Sequence, residues 1–181
     1  PVWPAASWPA WAAIEDRVEH VTATQWIDDF FAADAAAWAR EHVGIVWYEN
    51  SALGERIAQL AGIPCHHGGK DAEARILAED GKRSICASIS SHGEGRDGLQ
   101  FKFYKQYVTQ FPASGKGADQ LLGRLAREGQ PEDTVETWVP AHTPECRDAL
   151  RKAAEYAAFD EEMSPSESLL LAADDPDGLF C

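Results

Sequence analysis

The order of segments predicts an α/β chain of three layers, a mainly parallel sheet flanked by helices, and three features of the sequence carry that expectation. The run VGIVWY at 43–48 is short, continuous and apolar, with β-branched and aromatic residues, the pattern of a strand buried on both faces. Further short runs of this kind recur along the chain, separated by amphipathic segments of helical period. Turn and cap residues punctuate the boundaries: Asn50-Ser51, Gly62, Gly68-Gly69, Asp80-Gly81 and Pro144. Strands alternating with helices at this spacing imply a parallel sheet with right-handed crossovers. In such a sheet the ligand site lies at the carboxyl ends of the strands.

Taken in order, residues 1–21 are rich in Trp, Pro and Ala without a sustained period and read as a loosely ordered entry segment. A helix is expected over 24–41, because Trp26, Ile27, Phe30, Phe31, Ala35 and Trp38 recur at three- and four-residue spacings; Thr22 or Thr24 can cap it. The first strand follows, then a helix over 52–62, the strand IPCHH at 63–67 and a helix over 71–79. SICASI at 84–89 and QYVTQF at 106–111 are the third and fourth strands. A helix over 118–127 and the strand VETWV at 135–139 come next, then a helix from 143 to about 159. The folded unit spans 22–160, and residues 161–181 form an acidic tail with one apolar patch, SLLLAA, suited to docking. Trp26, Trp38 and Trp47 are expected to pack in the core or between domains.

Composition narrows the class of function. The 181 residues are 45% hydrophobic and 25% charged, as in a globular domain, and no apolar run approaches the length of a membrane span. The opening PVWPAASWPAW lacks the basic flank and apolar stretch of a secretory signal, so a segment of a longer, cytoplasmic protein is expected. Cys65, Cys86, Cys146 and Cys181 are scattered without a CxxC pair, which points to a reducing compartment. Cys65-His66-His67 is the one local cluster of metal-ligand types, and strand-end packing is the expected role of its histidines. The net charge of −14 argues against a surface that is basic throughout. Between 95 and 127, however, Arg96, Lys102, Lys105, Lys116, Arg124 and Arg127 face only Asp97 and Asp119. A polyanion would meet that stretch.

The most informative segment is QLLGRLAREGQ at 120–130. On one helix Gln120, Arg124 and Arg127 share a face, and two guanidinium groups held together call for an anion between them. An Arg so placed stabilises the charge that develops as a γ-phosphate departs. A second segment, Ser88 to Gly95, is small and glycine-bearing, which lets backbone N–H groups approach phosphate.

The pattern Gln-x-x-Gly-Arg-x-x-Arg-x-Gly-Gln resembles motif VI of superfamily 2 helicases, in particular Swi/Snf-like and phage DEAD/DEAH-type members. SISSHGEGRDGLQ at 88–100 resembles motif V, GIVWYEN at 44–50 the strand and turn of motif IV, and IPCHHGG at 63–69 the strand that follows it. These stretches stand in the family's order and cover about 43–140. The resemblance implies the second RecA-like lobe of a nucleic-acid-dependent ATPase. It implies that Arg124 and Arg127 are arginine fingers on the γ-phosphate, that Gln120 lies near the nucleotide, and that Gly95 and Asp97 approach its ribose. It implies that Ser88, Ser90 and Ser91 contact the DNA or RNA backbone. Two positions depart from the pattern: Ile89 stands where Thr is common, and Glu94 puts an acid beside the phosphate site.

No GxxxxGK[ST] loop and no acidic Mg²⁺-binding strand occur: SGKGAD at 114–119 lacks the hydroxyl residue, and FDEEM at 159–163 ends a helix. ATP and Mg²⁺ would therefore be held mainly by a first RecA-like lobe, which is the expected partner. A RecA-like module that only binds or regulates is the alternative expectation, motivated by the net charge and Glu94.

Overall fold

A computed structural model describes residues 8–18, 25–93, 97–163, 168–175 and 178. The chain is α/β, with five parallel strands in the order β2-β3-β1-β4-β5. They are β1 (Ile45–Tyr48), β2 (Cys65–His66), β3 (Ile85–Ser88), β4 (Lys105–Val108) and β5 (Glu136–Trp138). The helices are α1 (Trp8–Ala12), α2 (Phe30–Glu41), α3 (Ser51–Ala61), α4 (Ala72–Leu77), α5 (Ile89–His92), α6 (Gly115–Leu122), α7 (Pro144–Met163) and α8 (Leu169–Ala172). Every residue of β1 and β3 is buried, as their unbroken apolar runs require.

The two faces of the sheet are sorted by side-chain alternation. Val46, Tyr48, Cys86 and Tyr107 point to the side covered by α2 and α3. Ile45, Trp47, Ile85, Ala87 and Val108 point to the other, where Ile76 of α4, Leu99, Phe103 and Leu121 of α6 cover them. From β1 the chain moves outward through α3 to β2 on one face; it then returns through α4 to β3, passes under α5 to β4, and continues through α6 to β5 on the other. Opposite directions of travel using opposite faces is what crossovers of a single hand produce.

Capping follows the local chemistry. Asn50 Oδ1 accepts hydrogen bonds from the N–H groups of Ala52 (3.0 Å) and Leu53 (3.4 Å), and Gly62 closes α3 at φ 70°. Thr143 Oγ1 accepts from the Cys146 N–H (3.2 Å) at the start of α7, with Pro144 at the first helical position. Within the sheet, Trp47 Nε1–H donates to Gln106 Oε1 (2.8 Å) and Gln106 Nε2–H donates to Thr137 Oγ1 (2.9 Å), so one buried amide ties three adjacent strands together. A third helical layer covers α6, where Ala118 packs on Ala153, Ala154 and Ala157 of α7 and on Leu170 of α8. Asp119 Oδ1 accepts from Ser168 Oγ (2.8 Å) and the Leu170 N–H (3.0 Å), which docks the apolar patch of the tail.

Three expectations are corrected. The second helix begins at Phe30, not at 24; Thr22 and Thr24 lie outside the described residues, and Trp26 and Ile27 are 45% and 95% exposed. Its buried stripe is Ala32, Ala35, Ala36 and Ala39 with Trp38, since small side chains let the helix approach α3 and the sheet closely. The helix expected over 118–127 is instead Gly115–Leu122, followed by turns through Gly129. The segment after β3 opens as the helical turn α5, not as an extended glycine loop, while Glu94, Gly95 and Arg96 lie outside the described residues. Among the described residues no helix is long and apolar enough to cross a membrane.

A Cβ on Gly115 would fall 2.6 Å from the Ala157 backbone N and 2.8 Å from its Cα, neither of which can yield without moving α7. Gly115→Ala is therefore expected to lower stability by about 1–3 kcal/mol, read as a shifted urea midpoint. An unchanged midpoint would contradict this close approach of α6 and α7.

Candidate functional site

The connections from β1 and β4 leave in opposite directions, and in an open parallel sheet a crevice opens beyond the carboxyl ends of two such strands. A cavity of about 370 Å³ lies there, lined by Glu49 after β1, Ile89, Ser90 and Gly93 after β3, Gln110 and Phe111 after β4, and Gln120 of α6. Its polar groups are one carboxylate, two amides and a hydroxyl, with no Lys or Arg among the described lining residues. Such a lining suits groups that carry hydroxyls or amides more than a bare phosphate. Glu49 directly follows β1 and Gln110 stands two residues beyond the end of β4, and that position at a strand's carboxyl end was the signal that could have singled them out.

α6 starts at this edge and runs toward the amino ends of the strands. Gln120 faces the cavity, and the arginines lie farther along. Arg124 is 7% exposed, and its Nε–H donates to the Gln120 carbonyl at 3.2 Å. The turn beyond it is closed by Gln130, whose Nε2–H groups donate to the carbonyls of Phe103 (3.0 Å) and Leu125 (3.2 Å). Gly129 at φ 87° makes that turn possible, since the Phe101 ring lies 2.6 Å from where a Cβ would stand.

Arg127 is two-thirds buried and forms an ion pair with the exposed carboxylate of Asp97. The helical face proposed for Gln120, Arg124 and Arg127 is thus corrected: the helix ends at Leu122, and the two arginines are held differently, one buried and one at the surface. What the fold does bring together is the segment around Asp97 and the segment around Arg127, thirty residues apart.

Of the three serines, Ser88 is buried and its hydroxyl lies 2.9 Å from that of Ser90. Ser90 is exposed at the carboxyl edge and Ser91 is half-buried beside Gly68, where an added Cβ would clash with its hydroxyl. Gly95 is outside the described residues. Among the described residues no group of three or more His, Cys, Asp or Glu side chains is placed to hold a metal ion.

Arg124→Ala removes a buried side chain and leaves the Gln120 carbonyl without that donor, so a loss of about 2–4 kcal/mol is expected in urea denaturation. Asp97→Asn, which weakens a surface pair, should leave the midpoint nearly in place. The reverse ranking would contradict the burial pattern. In sequence, no protein-family model and no curated protein matches the chain.

Proposed function

We propose that this chain is the second RecA-like lobe of a helicase or translocase ATPase, and that Arg127 is its contribution to ATP hydrolysis. The observation that carries the reading is the Asp97–Arg127 ion pair, which joins the stretch resembling motif V to the stretch resembling motif VI. A surface ion pair costs little to exchange, and a triphosphate offers a guanidinium more negative charge than one carboxylate does. When ATP carried by a first lobe closes on this surface, Arg127 moves from Asp97 to the γ-phosphate, and Asp97 becomes free to accept a hydrogen bond from a ribose hydroxyl. Arg124, buried against Gln120, positions the turn that presents Arg127 and does not itself touch the phosphate.

In this reading the carboxyl edge meets nucleic acid. Ser90 and Ser91 stand there at the start of α5, and the amides of Gln110 and Gln120 line the cavity beside them. Hydroxyl and amide contacts of this kind reach the sugars and backbone of DNA or RNA rather than the base edges, so binding would be sequence-tolerant. Mg²⁺ would be coordinated by the first lobe together with the phosphates. A RecA-like module that binds or regulates without supporting hydrolysis is the second reading, and the burial of Arg124 together with the net charge of −14 favours it.

The experiment is steady-state ATPase activity, with and without nucleic acid, of a protein that joins this chain to its first lobe. Arg127→Ala should lower the stimulated kcat by about 10²- to 10³-fold or more, with a much smaller change in KM. Activity near the parent level would remove the arginine-finger role and leave the binding module.

A further inference from the structure

Cys65 and Cys86 are direct partners in the parallel register of β2 and β3, with both side chains on the face covered by α3. Neighbouring strands lie about 4.8 Å apart, within the Cα separation of roughly 4.4–6.8 Å that a disulfide spans. The two thiols differ in access: Cys86 is fully buried in the second strand of the sheet, whereas Cys65 is partly exposed on the edge strand.

The surroundings of Cys65 are built from three further side chains. Its Sγ lies 3.6 Å from the Tyr48 hydroxyl of β1, and that hydroxyl is 2.7 Å from His67 Nδ1. His67 Nε2 in turn is 3.6 Å from Glu55 Oε1 of α3. The row thiol, phenol, imidazole, carboxylate can pass a proton from Cys65 through Tyr48 to His67, with Glu55 beside the imidazolium that results. A hydrogen bond with Cys86 holds the Cys65 thiol down at about 6, and the Tyr48 hydroxyl and His67 act in the same direction against burial and Glu55. Cys86 is pushed up by the same contact and by burial.

We propose that Cys65 and Cys86 form a dithiol site that reacts with peroxides, Cys65 attacking and Cys86 resolving. The Cys65 thiolate attacks one peroxide oxygen; an S–O bond forms, the O–O bond breaks, and the departing oxygen takes up the proton held at His67. Cys65 is then a sulfenic acid. The Cys86 sulfur attacks the Cys65 sulfur next. An S–S bond forms, the S–O bond breaks, and the hydroxide leaves as water with the Cys86 proton. Two thiols and one peroxide yield one disulfide, one alcohol or water from the peroxide, and one water. The product clasps the two-residue edge strand to β3.

The test uses the reduced chain treated with hydrogen peroxide, digested and read by mass spectrometry. A peptide pair joined through Cys65 and Cys86, two hydrogens lighter than the separate peptides, is the expected product. In Cys86→Ser, dimedone should capture the sulfenic acid at Cys65, about tenfold faster than at Cys146. Alkylation of Cys65 by iodoacetamide should inflect near pH 6. That inflection should move up in Tyr48→Phe and His67→Asn, which a merely structural role for those residues would not produce. Oxidation of Cys65 no faster than Cys146, or disulfides that join other cysteines while Cys65–Cys86 is absent, would overturn the proposal.

Discussion

The fold depends on the double burial of β1. Ile45, Val46, Trp47 and Tyr48 are all fully buried, with β3 hydrogen-bonded on one edge and β4 on the other. A strand that hides both faces and both edges must be covered by helices on each side, and it fixes where the chain can cross over. Because the segment after β1 leaves toward β2 and the segment after β4 leaves toward β5, the crevice at the carboxyl edge is a consequence of topology. The buried amide of Gln106 reinforces the same centre, since its two hydrogen bonds hold β4 in line with Trp47 on one side and Thr137 on the other.

From that centre the chain places two kinds of chemistry at different heights. At the carboxyl edge the cavity is uncharged but for Glu49 and offers amide and hydroxyl groups. Beyond the end of α6 at Leu122, the turn closed by Gln130 presents a guanidinium beside an exposed carboxylate. In the proposed function the first faces nucleic acid and the second faces ATP, so α6 and the turn that follows it link the two ligands. In that reading a shift of α6 would be felt at Gln120 and, through the turn that follows Leu122, at Arg127, a physical route for coupling hydrolysis to movement along a strand.

The sheet was legible because its strands are short, apolar and bounded by residues with definite roles: Asn50 caps α3, Gly62 ends it, and Pro144 opens α7. Two helices were misjudged for identifiable reasons. Reading the second by its bulky residues missed that alanines, with Trp38, form the buried stripe. Reading the sixth through to 127 missed that the chain turns after Leu122, through Gly129 at positive φ, with the Gln130 amide donating to the Leu125 carbonyl. Gln120, expected near the nucleotide, lines the cavity at the carboxyl edge, and the burial of Arg124 and Ser88 depends on tertiary neighbours that no local pattern encodes. The Cys65–Cys86 pairing was likewise invisible, since it follows from β3 lying between β2 and β1.

The most direct measurement is a structure of this chain joined to its first lobe, with nucleic acid and ADP plus a metal-fluoride mimic of the γ-phosphate. Arg127 is expected to leave Asp97 and to donate hydrogen bonds to the fluorides at about 2.7–3.0 Å. An Arg127 that stays on Asp97 while another cation holds the mimic would contradict it.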